Sequence, residues 1–275
     1  MKWIIRIIFQ LIIIGLLTIL TQVGGVAYLL ALIVFYSIKA FRNGSTRKLV
    51  FSSLFLIIYS LISFVVVPPV AEKFGRVPMP VLHEQIKPAK WIYVLTNRHY
   101  VDPKLKETIL DIGSDFNADF PECKIFYLDA NFPFLDDFPL LPHLSHSDGK
   151  KLDLGFCYYD KKKRQPAQKH PGWLGYGLVE EPYEGEVNQI DICDKDGYWQ
   201  YKLSKFLNLN LKSKRFAFDT EATYHLISII SKNSNVKKIF LEPHLKSRLG
   251  LKSMNKVRFQ GCHSVRHDDH IHLQI

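Results

Sequence analysis

The first 70 residues are apolar almost without interruption, whereas residues 71–275 alternate short hydrophobic runs with charged and Gly- or Pro-containing segments. Three apolar stretches stand out in the first part, over residues 3–21, 23–38 and 49–70. A hydrocarbon layer of ~30 Å is crossed by roughly 20 residues of helix, a length that the first and third stretches supply. The second is short, and residues 21–25 read as a hairpin break before it. The pattern predicts a transmembrane anchor of three helices over residues 1–70. A cleaved signal peptide fits poorly, because the apolar region is too long and further apolar segments follow it.

Beyond the anchor, Pro68, Pro69, Pro78, Pro80 and Pro88 mark extended chain. Residues 71–90 are therefore expected to form a connector that lifts a folded domain, residues 91–275, off the membrane. Within that domain, residues 91–95, 124–128, 151–156, 238–241 and 271–275 have the aromatic, β-branched or alternating character of strands. Pro103 opens a helix through Leu105, Ile109 and Ile112, as proline does at a first helical turn. Asp219 is a suitable N-cap for a helix over 220–231, with Ala222, Leu226, Ile229 and Ile230 on one face. A short helix follows over 243–249. Strands and helices intermingle without a βαβ repeat or a Gly-rich nucleotide loop, which predicts a compact α+β domain.

Charge refines this organisation. Six basic and no acidic residues fall within positions 1–70, leaving 30 basic against 26 acidic over 71–275. The basic excess thus belongs to membrane topology, and no basic-aromatic stripe points to nucleic acid. Lys39, Arg42, Arg47 and Lys48 crowd one loop, which should stay cytoplasmic. A single span separates this loop from the rest, so residues 71–275 are expected outside the cytoplasm. Cys123, Cys157, Cys193 and Cys262 then face an oxidising space, as disulfides in one of three full pairings or as buried thiols. The run Lys161-Lys162-Lys163-Arg164 reads as a solvated turn, with contact to an anionic cell-wall polymer as the alternative.

Candidate chemistry is concentrated in two short arms that hold five of the eleven histidines. One is His143-x-x-His146 followed by Asp153, and the other is His267-x-x-His270-x-His272. Alternation along a strand puts His270 and His272 on one face and Ile271 and Leu273 on the other. The same rule turns Asp153 away from Leu152 and Leu154. A catalytic zinc takes three ligands from His, Asp or Glu and keeps one position for water. His146, Asp153 and His272 satisfy this, which leaves His270 as the proton carrier. His143 and His267 then fall outside the ligand set, beside it, and Asp268 and Asp269 in a loop or supporting role. His83, His99, His170, His225, His244 and His263 are expected to be structural or solvated. Arg98 at a strand end is a candidate for a substrate carboxylate, and the loop 172–177, with Trp173 and Tyr176, for a cleft wall.

The two arms resemble the penicillin-insensitive murein endopeptidases. These belong to a wider group of zinc peptidases with the lysostaphin-type enzymes, the D-alanyl-D-alanine carboxypeptidases and the hedgehog signalling domain. The resemblance implies a small α+β fold around a central antiparallel sheet and cleavage of peptidoglycan peptides. It implies one Zn2+ on His146, Asp153 and His272, His270 as catalytic histidine, and His143 and His267 as further active-site histidines. It also implies a bacterial cytoplasmic membrane, with the domain on its periplasmic or extracytoplasmic side. Because the group includes a signalling member, a non-catalytic zinc-containing binding or signalling module is the alternative.

Overall fold

The computed structural model describes residues 2–42, 46–172, 174–199, 201 and 215–275. Trp173 of the loop 172–177 and residues 43–45 of the basic loop lie outside the described residues. The chain begins with helices α1 (Lys2–Thr21), α2 (Gly24–Ser37), α3 (Lys39–Arg42) and α4 (Arg47–Leu61), then a π-helical turn over Ile62–Val66 and α5 (Val67–Lys73). Among the described residues, two helical stretches are long and apolar enough to cross a membrane, Trp3–Thr21 and Arg47–Lys73, each with a mean hydropathy of 2.5. The expected third span, α2, has only 14 residues and falls short of a full crossing. It lies between the other two, where the Tyr28 hydroxyl donates to Gln10 Oε1 at 2.6 Å and its ring meets Phe51 and Phe55 edge-on.

The connector differs from expectation. Pro68 and Pro69 stand in the first turn of α5 rather than in extended chain. Inside a continuing helix each proline removes one backbone N–H, and helices accommodate this where the ladder is locally rearranged, as at a π-turn. The π-helical turn immediately precedes them, with the Val67 N–H on Ile62 O. The domain also packs directly on the tip of the α1–α2 hairpin: Val23 shares an apolar cluster with Val67, Ala71 and Tyr100.

The domain is mixed α+β. Its main sheet has six strands in the order β10-β9-β11-β5-β4-β2. These are β10 (Val257–Arg258), β9 (Lys238–Phe240), β11 (His270–Gln274), β5 (Lys151–Gly155), β4 (Ile125–Tyr127) and β2 (Ile86–Pro88). The middle of the sheet is antiparallel, and a parallel pair closes each edge. Two small sheets accompany it, β1 (Val77–Pro78) with β3 (Tyr100–Val101), and β6 (Tyr158–Asp160) between β7 (Gln165–Pro166) and β8 (Phe216–Phe218). Leu152, Leu154, Ile271 and Leu273 share the buried core with Leu105, Ile109 and Ile112 of helix α7 (Pro103–Asp119), and with Leu226 and Ile230 of helix Thr220–Lys232. Each such side chain contributes about 1.5–3 kcal/mol on burial. The opposite face of β5 and β11 is left for Asp153, His270 and His272.

Both long helices of the domain start where their caps place them: the Asp102 carboxylate accepts from Lys104 N, and that of Asp219 from Ala222 N. Residues 91–95, expected as a strand, form helix α6 (Trp91–Leu95) instead. Tyr93 and Val94 are buried while Trp91, Ile92 and Leu95 are exposed, a pairing of neighbours that strand alternation does not produce. Of the four cysteines, Cys193 and Cys262 are joined in a disulfide, and Cys123 and Cys157 are buried thiols. Residues 161–164 form the exposed turn between β6 and β7.

Candidate metal centre

Strand register brings the two arms together. In the β5–β11 ladder His272 lies opposite Asp153, and His270 opposite Gly155. The His272 Nδ1 is 2.8 Å from Asp153 Oδ1. The upstream arm arrives on a loop. There His146 Nδ1 donates to the Ala130 carbonyl at 2.7 Å, which leaves Nε2 as an electron-pair donor, 3.1 Å from His272 Nδ1 and 3.2 Å from Asp153 Oδ1. The Gln274 side-chain amide lies 3.1 Å from His272 Nε2, and with its oxygen turned to that nitrogen it accepts the Nε2–H and leaves Nδ1 to present a lone pair.

Two overlapping donor sets follow. The buried group His143, His146 and Asp153 has ligand atoms all within 4.8 Å of one another and can hold a metal ion. The set His146 Nε2, Asp153 Oδ1 and His272 Nδ1 is tighter, with edges of 2.8–3.2 Å. A tetrahedral ion with ligand bonds of about 2.1 Å needs donors roughly 3.4 Å apart, close to these edges. His143 has other partners: its Nδ1 faces Asp129 Oδ2 at 3.1 Å, the Tyr176 hydroxyl at 3.2 Å and Asp153 Oδ2 at 3.3 Å. The second set is thus the more compact of the two, and His143 packs beside it.

The remaining groups form a shell around Asp153. Tyr176 donates its hydroxyl to Asp153 Oδ2 at 2.6 Å, and burial followed by Asp153 and Asp129 pushes its own ionisation far up, so it remains a donor. His270 turns Nδ1 to Asp269 Oδ1 at 2.6 Å, and Asp269 Oδ2 accepts the Gly177 N–H at 2.7 Å. Its Nε2 is buried, lacks a hydrogen-bond partner and lies 3.7 Å from Asp153 Oδ1. An unpartnered buried nitrogen aimed at a cluster of donors fits a site built around a small cation. His267 packs 5.0 Å from His270 and 5.6 Å from His272, ring to ring.

Burial sets the electrostatics of the group. It would raise the Asp153 carboxyl, yet His146 and His270 hold that acid well below the usual carboxylate range. It takes His272 down to about 4 against the pull of Asp153, and His267 well below its ordinary value. His270 departs from the others: burial pulls it down, but Asp153 and Asp269 outweigh this and push it up to about 9. Asp153 is thus an anion at neutral pH, and His267 and His272 are neutral imidazoles.

All six residues of the two arms therefore meet. Arg98 does not face a substrate position: its Nε and Nη2 grip Asp129 in a bidentate pair at 2.6 and 2.7 Å. Asp129 and Ala130 escaped the sequence reading. They follow β4 directly, and the Asp153 N–H on Asp129 O sets them beside Asp153. Asp268 pairs with Arg266 and Asp269 with His270, so each is engaged outside the two donor sets. Neither the protein-family models nor the curated proteins include a match to this chain.

Proposed function

We propose that the protein is a membrane-anchored zinc metallopeptidase, related to the murein endopeptidases, that hydrolyses an amide bond in peptidoglycan stem peptides or cross-links. The observation that carries this reading is the convergence of His146 Nε2, Asp153 Oδ1 and His272 Nδ1 within 3.2 Å, with the unpartnered His270 Nε2 beside them. Those three atoms would hold the ion, and two imidazoles with one carboxylate suit zinc and keep a net positive centre. Bound zinc supplies a Lewis acid that polarises a carbonyl and acidifies water. Asp153 and Asp269 keep His270 protonated at neutral pH while no ion is held. A cation on Asp153 would offset that pull and free Nε2 to take the proton of the attacking water and return it to the leaving amine, while Asp269 fixes the ring. Tyr176 and His143 occupy Asp153 Oδ2, leaving Oδ1 to the ion. The basic loop at 39–48 supports a cytoplasmic side there and an extracytoplasmic domain, on a bacterial cytoplasmic membrane.

Digestion of purified peptidoglycan by the full chain in detergent, with products identified by mass, tests the reading. His270→Ala is expected to keep its zinc and lose cleavage, and full activity in that variant would remove His270 as the base. A second reading, a zinc-holding module without catalysis, draws support from depth: the most exposed of the six arm residues, His143, is only 8% accessible. Wild-type protein that carries zinc but leaves every peptidoglycan bond intact would favour it.

A further inference from the structure

We propose that the exposed face of α6, formed by Trp91, Ile92 and Leu95, is seated in the lipid interface of the leaflet opposite the basic loop. The proposal rests on the reading of Trp3–Thr21 and Arg47–Lys73 as membrane spans. These three side chains are 59%, 43% and 47% accessible, while Tyr93 and Val94 on the other side are buried in the domain. A single helical turn therefore presents a large apolar surface with none of the described residues over it.

Depth identifies lipid as the occupant. Read as a span, the 19 residues Trp3–Thr21 rise about 28 Å, close to the full ~30 Å hydrocarbon layer. The hairpin tip at 21–25 thus stands at the far border of that layer, where bare polar groups are still costly. The domain supplies their partners. Asn97 Nδ2 donates to Thr21 O at 3.4 Å and to Ser63 Oγ at 3.2 Å, and Phe134 N donates to Gln22 Oε1 at 3.0 Å. Asn97 lies two residues beyond α6. The Tyr59 hydroxyl also donates to the Leu95 carbonyl at 2.6 Å. Past that level Phe64, Val65 and Val66 remain exposed, so the lipid-facing surface continues beyond the height of α6. A tryptophan beside two aliphatic side chains at this depth matches the amphipathic belt that membrane interfaces favour.

The seat is one layer from the His–Asp cluster. Tyr93, on the buried side of α6, meets the Tyr176 ring edge-on at 6.4 Å, and Tyr176 donates to Asp153. Arg98, just after the helix, holds Asp129. The site therefore works on material at the membrane surface.

Tryptophan fluorescence tests this on the full chain in phosphatidylethanolamine–phosphatidylglycerol vesicles. One protein keeps Trp91 alone, through Trp3→Phe, Trp173→Phe and Trp199→Phe. A second replaces Trp91 as well and carries Leu56→Trp, at an exposed position within the α4 span. Phospholipid brominated near the ester end of its chains is expected to quench Trp91, and aqueous iodide to leave its emission unchanged. Quenching of the Leu56→Trp protein by bromolipid, with Trp91 quenched only by iodide, overturns the seat and leaves the spans standing. Failure of bromolipid to quench either protein overturns both.

Discussion

The two halves of the His–Asp cluster reach the same point by different means. Asp153 and His272 are cross-strand partners in a central ladder, so backbone hydrogen bonds set their positions before any side chain is considered. His143 and His146 stand on the loop before β5 and are held by side-chain bonds, to Asp129 and Tyr176 for one and to the Ala130 carbonyl for the other. A strand fixes which face a residue takes, since a one-residue slip would turn Asp153 and His272 into the core. A loop fixes nothing alone, and its donors are only as well placed as the groups that grip them. The strand half is therefore vulnerable to packing behind the sheet, and the loop half to the loss of single polar partners.

The largest effect is expected at the atom both halves share. Asp153→Ala should abolish metal binding and reduce peptidoglycan cleavage to background, read by metal analysis of the purified chain. Asp129→Asn strikes the loop half alone, since it weakens the hold on His143 and the pairing with Arg98. It should lower zinc affinity about 10–100-fold in a chelator competition, whereas unchanged affinity would mean the loop needs no such support. Gly155→Ala strikes the strand half on the cluster's own face, since Gly155 and Asp153 are two apart in β5. A Cβ there would lie 2.5 Å from His170 Cδ2 and Nε2, directly opposite His270. The overpacking should cost about 1–3 kcal/mol of stability in chemical denaturation.

The smallest effect concerns acid. His170, beside Gly155 of β5, lies among Phe126 and Tyr158 with no partner for either ring nitrogen among the described residues, and burial takes it from an ordinary 6.5 to about 3. Below pH 6.5 the unfolded chain binds a proton that the folded chain refuses, so stability falls as pH drops from 6.5 toward 3. His170→Phe should flatten that part of the stability profile, and an unchanged slope would assign the acid sensitivity elsewhere.

The same contrast explains what was legible in the sequence. Asp153, His270 and His272 could be oriented from alternation alone, and β4, β5, β9, α7 and helix Thr220–Lys232 lie close to where periodicity and caps put them. The spacing of His143 and His146 indicated chemistry but not the shell around it. Asp129 is a lone acid after a hydrophobic run, and nothing local distinguishes it from a surface turn. Its place beside Asp153 is a product of sheet pairing, and Tyr176 arrives from a Gly-rich loop 23 residues further on. Residues 91–95 misled because aromatic and β-branched composition suits a strand and an amphipathic helical turn alike, and here contact with α4 and the domain decides. The Cys193–Cys262 pairing across 69 residues was equally out of reach of local pattern.

Zinc content measured across three variants of the full chain tests the joining of the two arms most directly. The wild-type protein and His270→Ala should each carry about one zinc per chain, and His272→Ala close to none. Zinc retained in His272→Ala, or absent from the wild type, would contradict a centre built from His146, Asp153 and His272.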